Sequence, residues 1–324
     1  MKAAQLDDYG SADNIRIVDV PKPSAGAGQV LVKVAFGGLR FSEIGARQNK
    51  GAVPTPFILG TEVSGVVEAL GDGVSGVKTG DRVVAQPVNG GYAEYLAVEP
   101  ARLTPIPDRV PLESALLYRV NGIAAYMMVY EWAKAQDGET VLIHGAAGGV
   151  GRLVTQILKS RFKNVTVIGL ASTDEKVKSI LANGADHAIN YKASDYVAEV
   201  EKATGGAKSA GGGVNVVFNG VGGESLAKDQ KVIKAHGRWV IYGGAAGRGP
   251  IDVYPYIFDS ITVMPFSMLT FANTEAQQRC NAFIADWLAK EELDKPVIHP
   301  LDDVAKMHAA MERGETQGKI VFRI

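Results

Sequence analysis

The sequence predicts an α/β protein of two domains, a strand-rich N-terminal unit followed by a doubly wound parallel sheet. Three observations carry that expectation. Short β-branched or alternating runs, punctuated by Gly, Pro and Asp, fill the first third. From Thr140 onward, apolar strands alternate with helices. The chain's 324 residues, 46% hydrophobic and 21% charged, are enough for two sizeable cores.

The runs "QVLVKVAFGG", "VSGVVEAL", "DRVVAQP" and "GYAEYLAV" read as short strands of the first unit. The stretch "VPLESALLYRVNGIAAYMMVYEWAKAQDG" then takes helical periodicity, ends at a Gly and marks the junction. "TVLIHGAAGGVGRLVTQILKSRF" is an apolar strand, a glycine turn and an apolar helix. "NVTVIGLAS" with "TDEKVKSILANG" repeats the unit, and "VNVVFNGVGG" and "GRWVIYGGAAG" continue it. Strands buried on both faces and separated by helices form parallel sheets. Between helix and strand, "GGAKSAGGG" (205–213) reads as a mobile surface loop. After "SITVMPFSML" come a helix around Cys280, a strand near "KPVIHPL", the helix "DDVAKMHAAMERG" and a last strand "GKIVFRI". This tail is too short to be a domain and should pack back. The expected organisation is therefore 1–118, 119–262 and a returning segment 263–324.

Composition excludes several classes. A formal net charge of -1 without a basic tract gives no sign of nucleic acid or an anionic membrane as partner. No apolar run approaches the roughly 18 residues of a membrane span. The N-terminus lacks the apolar core of a secretion signal, so cytoplasm is the expected compartment. One cysteine, Cys280, rules out a disulfide framework or thiolate cluster. It shares an apolar helix face with Ala276, Phe283, Ile284, Trp287 and Leu288, which suggests a core thiol. The five histidines, His144, His187, His236, His299 and His308, show no paired ligand spacing.

The chemistry concentrates at "GAAGGVG", Gly145 to Gly151. Backbone N–H groups at a helix start can approach a pyrophosphate only where side chains do not intervene, and Gly148, Gly149 and Gly151 meet that condition. A strand before, a helix after and further strand–helix units downstream point to a dinucleotide site. Sites for NAD usually end the second strand with an acid that binds the ribose 2′-hydroxyl. Here Ser172 and Thr173 stand in that place and Lys176 follows one helical turn later, which suits a 2′-phosphate and therefore NADPH. Asp174 and Glu175 oppose that charge but also suit a helix N-terminus. Tyr191, ending the next strand, could flank the phosphate or the adenine.

The β-rich start, "GTEVSGVVEALGDGVSGVKTGDRVV", "GGYAEYLAV", "VLIHGAAGGVG", "INY" and the terminal "GKIV" together resemble the medium-chain dehydrogenase/reductases. Within them the chain is most similar to the zinc-free quinone oxidoreductase (ζ-crystallin-like) family. "GLRFSEIGARQ", "LLYRVNGIAAYMMV" and "NVTVIGLAS" are also similar to the vesicle amine transport protein homologues. The resemblance implies a GroES-like catalytic domain, a Rossmann cofactor domain and a tail returning to the first. It implies cofactor contacts at Asn121, Ala147, Val150, Asn219, Gly243, Phe266, Met268 and Lys319, beside Gly148, Gly149, Ser172, Lys176 and Tyr191. Zinc members of the superfamily carry a ligand cysteine where Arg40 stands and a ligand histidine where Thr61 stands, so no metal is expected. Without a Lewis acid, oxidising an alcohol is hard, while reducing an electron-poor conjugated system remains easy.

The expected activity is hydride delivery from NADPH to a quinone or enone held in a cleft between the domains. Alternatives are an enoyl-thioester or 2-alkenal reductase, or a non-enzymatic NADPH-binding protein. Departures from the family pattern lie at Arg40 and Glu43, where Asn and Asp are frequent, and around Gly45 and Gly51, where some members carry tyrosines. Arg40 and Glu43 are the candidate catalytic residues. They either pair with each other, or Arg40 binds an acidic group or a developing oxyanion. Tyr92, Tyr118 and Tyr126 read as packing residues. The resembling enzymes pair the edge strand around 260–269 with its twofold mate, which implies a homodimer.

Overall fold

The computed structural model describes residues 1–49, 53–290 and 293–324. The chain divides into one unit of Met1–Val120 with Ala285–Ile324 and a second of Asn121–Ile284.

The first unit is built on strand Val30–Gly38, which pairs antiparallel with Val63–Leu70, Tyr95–Val98 and Ile320–Arg323. Its sheet runs Val297–Pro300, Ile320–Arg323, Val30–Gly38, Val63–Leu70, Arg82–Ala85, Leu103–Pro105, with Tyr95–Val98 off that path. Strand Val30–Gly38 is buried on both faces for most of its length, which explains its near-continuous apolar run. A second sheet orders Ile15–Asp19, Lys2–Leu6 and Phe57–Ile58. The C-terminal tail completes the unit. Leu301, Val304 and Met307 enter the core formed by Ala4, Leu6, Leu39, Tyr92 and Phe322.

The second unit holds six parallel strands in the order His187–Asn190, Thr166–Ala171, Thr140–Ile143, Val214–Asn219, Ile233–Ile241, Thr262–Pro265. The first strand in sequence is central. Later strands add to either side, so the order reverses between Thr140–Ile143 and Val214–Asn219. Ligands of open α/β sheets bind beyond the carboxyl ends of strands at such a point.

Three expectations need correction. Strand Thr262–Pro265 closes the parallel sheet, and residues through Ile284 stay with the second unit, so the tail returns from Ala285 and not from 263. The junction helix stops short of Gly138. It runs from Leu112 through π-type turns to Trp132, and Lys134 closes it with φ +50°. Residues 205–213 are a tied turn, because Thr204 Oγ1 accepts from Gly213 N at 2.7 Å and Lys208 Nζ reaches Asp259 Oδ2 at 2.5 Å. The helix Glu275–Lys290 buries Cys280, Ile284 and Trp287, as its apolar face predicts. The expected continuation of that helix falls on Glu291 and Glu292, outside the described residues.

Candidate active site

Two polar constellations stand out, one in each unit. In the first unit, strand Val30–Gly38 gives way at Leu39 to helix Phe41–Gln48, with Arg40 at its N-cap. That short helix aims Glu43 inward, where the residue is 2% exposed. Glu43 Oε1 accepts from Thr61 N at 2.7 Å and from Thr61 Oγ1 at 2.6 Å. Glu43 Oε2 accepts from the Tyr92 hydroxyl. That phenol also lies 3.0 Å from Gly38 O, so its one proton has two acceptors. Burial, reinforced by the Glu43 carboxylate, pushes the Tyr92 phenol well above its ordinary value. Arg40 Nη2 donates to Thr61 Oγ1, and Arg40 Nε is buried without a partner.

Arg40 and Glu43 therefore come together, but not as the direct ion pair that the sequence allowed. The Thr61 hydroxyl stands between them. Tyr92 is packed, as expected, against Phe322 with ring centroids 5.2 Å apart, and it also restrains Glu43. Gly45 is described and Gly51 lies outside the described residues.

A buried ion pair adjoins this group. Lys319 Nζ lies 2.5 Å from Glu62 Oε2 and 3.3 Å from Leu39 O. A Cβ on Gly38 would stand 2.6 Å from that carboxylate oxygen and 3.0 Å from the ammonium, so a side chain there would displace the buried pair. Lys319, a cofactor contact by resemblance, is thus committed to neutralising a wholly buried glutamate.

The site does not suit a catalytic zinc. A guanidinium has no lone pair to offer, and the Thr61 hydroxyl already donates to Glu43 and accepts from Arg40. Among the described residues, no group of three or more His, Cys, Asp or Glu could hold a metal ion.

In the second unit the remaining candidates, Asn121 apart, follow the carboxyl ends of the parallel strands. The Gly145–Gly151 turn follows Thr140–Ile143, and Ser172 with Lys176 follow Thr166–Ala171. Tyr191 follows His187–Asn190, Gly243 follows Ile233–Ile241, and Phe266 and Met268 follow Thr262–Pro265. Asn121 sits in the junction helix with its Oδ1 buried and unpartnered.

The turn itself has the geometry that an anion cradle requires. Gly145 takes φ +62°, and a Cβ on Gly151 would stand 2.6 Å from Gly145 O and 2.7 Å from Ala146 Cα. Helix Gly149–Arg161 thus starts hard against the turn, and its N-cap Gly148 offers no side chain to satisfy the first N–H groups. Ala147 precedes this cap, and Gly149 and Val150 open the helix. At the next strand end, Thr173 caps helix Asp174–Ala182 by accepting from Lys176 N at 3.3 Å, which leaves Ser172 as the uncommitted hydroxyl of the pair. Asp174 Oδ1 accepts from Asn190 Nδ2 at 2.7 Å.

The Asn219 side chain is bound into the scaffold. Its Oδ1 accepts from Val221 N at 2.8 Å and Gly222 N at 2.9 Å. Its amide donates to Ser225 Oγ at 2.9 Å and to Asp229 Oδ2 at 2.6 Å. Those four bonds fill the capacity of the side chain. Asp229, fully buried, also accepts from Tyr196 OH at 2.8 Å and Trp239 Nε1 at 3.1 Å, and lies 2.7 Å from His144 Nε2. A carboxylate only accepts, so His144 carries its proton on Nε2. Burial and the Asp229 charge push the Tyr196 phenol far up. This hub lies directly behind the glycine turn, since His144 precedes Gly145. Sequence reasoning missed it: "AKDQK" resembles a solvated helix, and no local signal marks Asp229 as buried.

Together the fold and the two constellations define a two-domain dehydrogenase/reductase with a dinucleotide cradle. Comparison with known proteins makes this specific. Residues 26–108 match the alcohol dehydrogenase GroES-like domain, and residues 149–286 match the zinc-binding dehydrogenase domain. The mouse quinone oxidoreductase is 30% identical over 334 residues, covering 99% of this chain and 97% of that protein. The human synaptic vesicle membrane protein VAT-1 homolog is 35% identical over 249 residues, covering 76% of this chain, and the matched region spans 61% of that longer protein. Among solved structures, the mycobacterial protein Rv1454c, complexed with NADPH, superposes with TM-score 0.88 at 30% identity over the whole of both chains. The chain belongs to the quinone oxidoreductase family of the medium-chain dehydrogenase/reductases.

Proposed function

We propose that the chain is an NADPH-dependent, zinc-independent reductase of quinones or α,β-unsaturated carbonyl compounds. The observation that carries the reading is the uncapped helix start at Gly148–Val150, at the strand end where the parallel sheet reverses its order. Ser172 and Lys176 at the neighbouring strand end, with no acid in their place, favour a 2′-phosphate. When bound, NADPH supplies the hydride. The chain's own residues hold the pyrophosphate on backbone N–H groups, receive the 2′-phosphate and fix Arg40 through Thr61. Phe266 and Met268, after the last strand, and Asn121, with its unpartnered Oδ1, are the remaining proposed contacts.

The chain also works as a homodimer in this reading. Thr262–Pro265 is the edge strand of its sheet, and Val253, Tyr254, Ile257, Phe258 and Leu269 nearby in sequence are 63–78% exposed. An open edge and an apolar surface of this kind are normally covered.

Steady-state cofactor oxidation with a panel of small quinones and enones tests the catalytic reading. NADPH should be preferred over NADH, and a chelator should leave turnover unchanged. Absence of turnover across the panel, or a chelator-induced loss restored by zinc, would refute it.

A further inference from the structure

Arg40 makes one hydrogen bond among the described residues, from Nη2 to Thr61 Oγ1, and its buried Nε makes none. Buried polar groups without partners are rare enough to require an explanation. The bonds behind Arg40 supply one. Thr61 sends both its N–H and its hydroxyl proton to a single oxygen of Glu43, at 2.7 and 2.6 Å. With its proton turned to Glu43, the hydroxyl has only lone pairs left for Arg40. The second Glu43 oxygen is restrained by Tyr92, itself wholly buried. Every link thus has a fixed direction, Arg40 to Thr61 to Glu43, with Tyr92 holding the far end.

The strut also keeps the cation available. A direct Arg40–Glu43 pair would neutralise the guanidinium. With Thr61 interposed, the carboxylate spreads its charge over three hydrogen bonds, and the remaining N–H groups of Arg40 carry charge with no acceptor among the described residues. Fixed donors directed at a position where negative charge develops are the largest single source of catalysis in many enzymes.

We infer that Arg40 holds the oxygen that becomes anionic when the acceptor is reduced, with Thr61 and Glu43 as its positioning residues. The inference rests on the reductase reading and specifies its acceptor: a conjugated carbonyl whose oxygen gathers charge. In that step the acceptor's β-carbon gains a C–H bond from the dihydronicotinamide. The C=C π pair moves to form the C=C bond of the enolate, and the carbonyl π pair ends on oxygen. Arg40 N–H groups bind that oxyanion, and water supplies the proton that completes the product.

Two measurements test it, one without turnover. In the presence of NADP⁺, 4-nitrophenol stands in for the oxyanion, and its ionisation is followed by absorbance against pH. The bound phenol should ionise at least about one pH unit lower than free phenol in the wild type, equivalent to a tenfold preference for the anion. The shift should vanish in Arg40→Ala, fall sharply in Thr61→Val and persist in Thr61→Ser. In turnover, Arg40→Ala should lose about 10²–10³-fold in kcat, the range for removing one oxyanion donor. NADPH affinity by fluorescence should stay within about twofold, showing the variant folded, and added guanidinium ion should restore part of the rate. A lowered phenol ionisation that depends on Arg40 supports the inference even if no acceptor turns over, in which case the reductase reading fails alone. Equal phenol ionisation in wild type and Arg40→Ala, or a kcat within about threefold, overturns it.

Discussion

Replacing Asp229 with Asn tests whether the buried hub supports the cofactor domain. The carboxylate serves four groups: His144 Nε2 at 2.7 Å, Tyr196 OH at 2.8 Å, Asn219 Nδ2 at 2.6 Å and Trp239 Nε1 at 3.1 Å. Two of them meet Oδ1 and two meet Oδ2. An amide keeps one oxygen and puts an NH₂ where the other was, so two donors then face a donor in a site with no exposed surface. Each buried unsatisfied group costs about 1–3 kcal/mol, partly offset because the variant no longer buries a charge, so the net loss should be about 2–4 kcal/mol. For a domain of this size that lowers the melting temperature by roughly 5–15 °C. Melting followed by tryptophan fluorescence reports it directly, because Trp239 is one of the four partners. Asp229→Leu, which removes all acceptors, should melt lower still. A melting point for Asp229→Asn within about 2 °C of the wild type would show that the hub is not what supports the glycine turn.

Three further outcomes are expected. Lys176→Ala should weaken NADPH by about one to two decades while leaving NADH much less affected; an equal loss for both would remove Lys176 as a phosphate reader. The edge is best probed beside the strand, because Val263 within it packs against the core around Trp239. Phe258→Lys, at 75% exposure, should shift the chain toward monomer in sedimentation, and a wild-type monomer at micromolar concentration would dismiss the dimer. His308 should make the first unit acid-sensitive. It is fully buried with neither ring nitrogen bonded among the described residues, and burial, then the Arg47 guanidinium, lowers its pKa to about 3, against a weaker opposing pull from Glu312. Above about pH 6.5 it is neutral folded or unfolded and contributes no pH dependence. Below that the unfolded chain takes up a proton that the folded chain refuses, so stability falls by about 1.4 kcal/mol per pH unit, or about 2 kcal/mol at pH 5, levelling near pH 3. Urea denaturation of wild type and His308→Leu at pH 7.5 and pH 5 checks it, and equal pH slopes for the two would refute the assignment.

Most of the fold is legible because its strands are buried on both faces. Val141, Leu142, Ile143, Val167, Ile168, Val216, Val217 and Phe218 are essentially inaccessible, and such strands read as unbroken apolar runs. The glycine turn is legible for a similar reason: at Gly151 no other residue fits, so the constraint is written into the sequence itself. What escaped depends on contacts between distant positions. Lys319 and Glu62 meet across 257 residues of chain, and no local signal pairs them. The boundary at Ala285 escaped because one continuous helix, Glu275–Lys290, crosses it without a turn signal.

The Arg40 cluster shows where local reading ends. Residue types alone put Arg40 and Glu43 one helical turn apart, which is the spacing of a simple ion pair. What changes their chemistry is Thr61, brought from a separate turn after Phe57–Ile58, together with Tyr92 from a third segment. A hydroxyl at position 61 both accepts and donates, so it can separate two charges that would otherwise neutralise each other while transmitting orientation between them. Valine at 61 would keep the shape and remove both functions, whereas serine keeps both. The chemistry of the cluster therefore depends less on the two charged residues than on the small polar one between them.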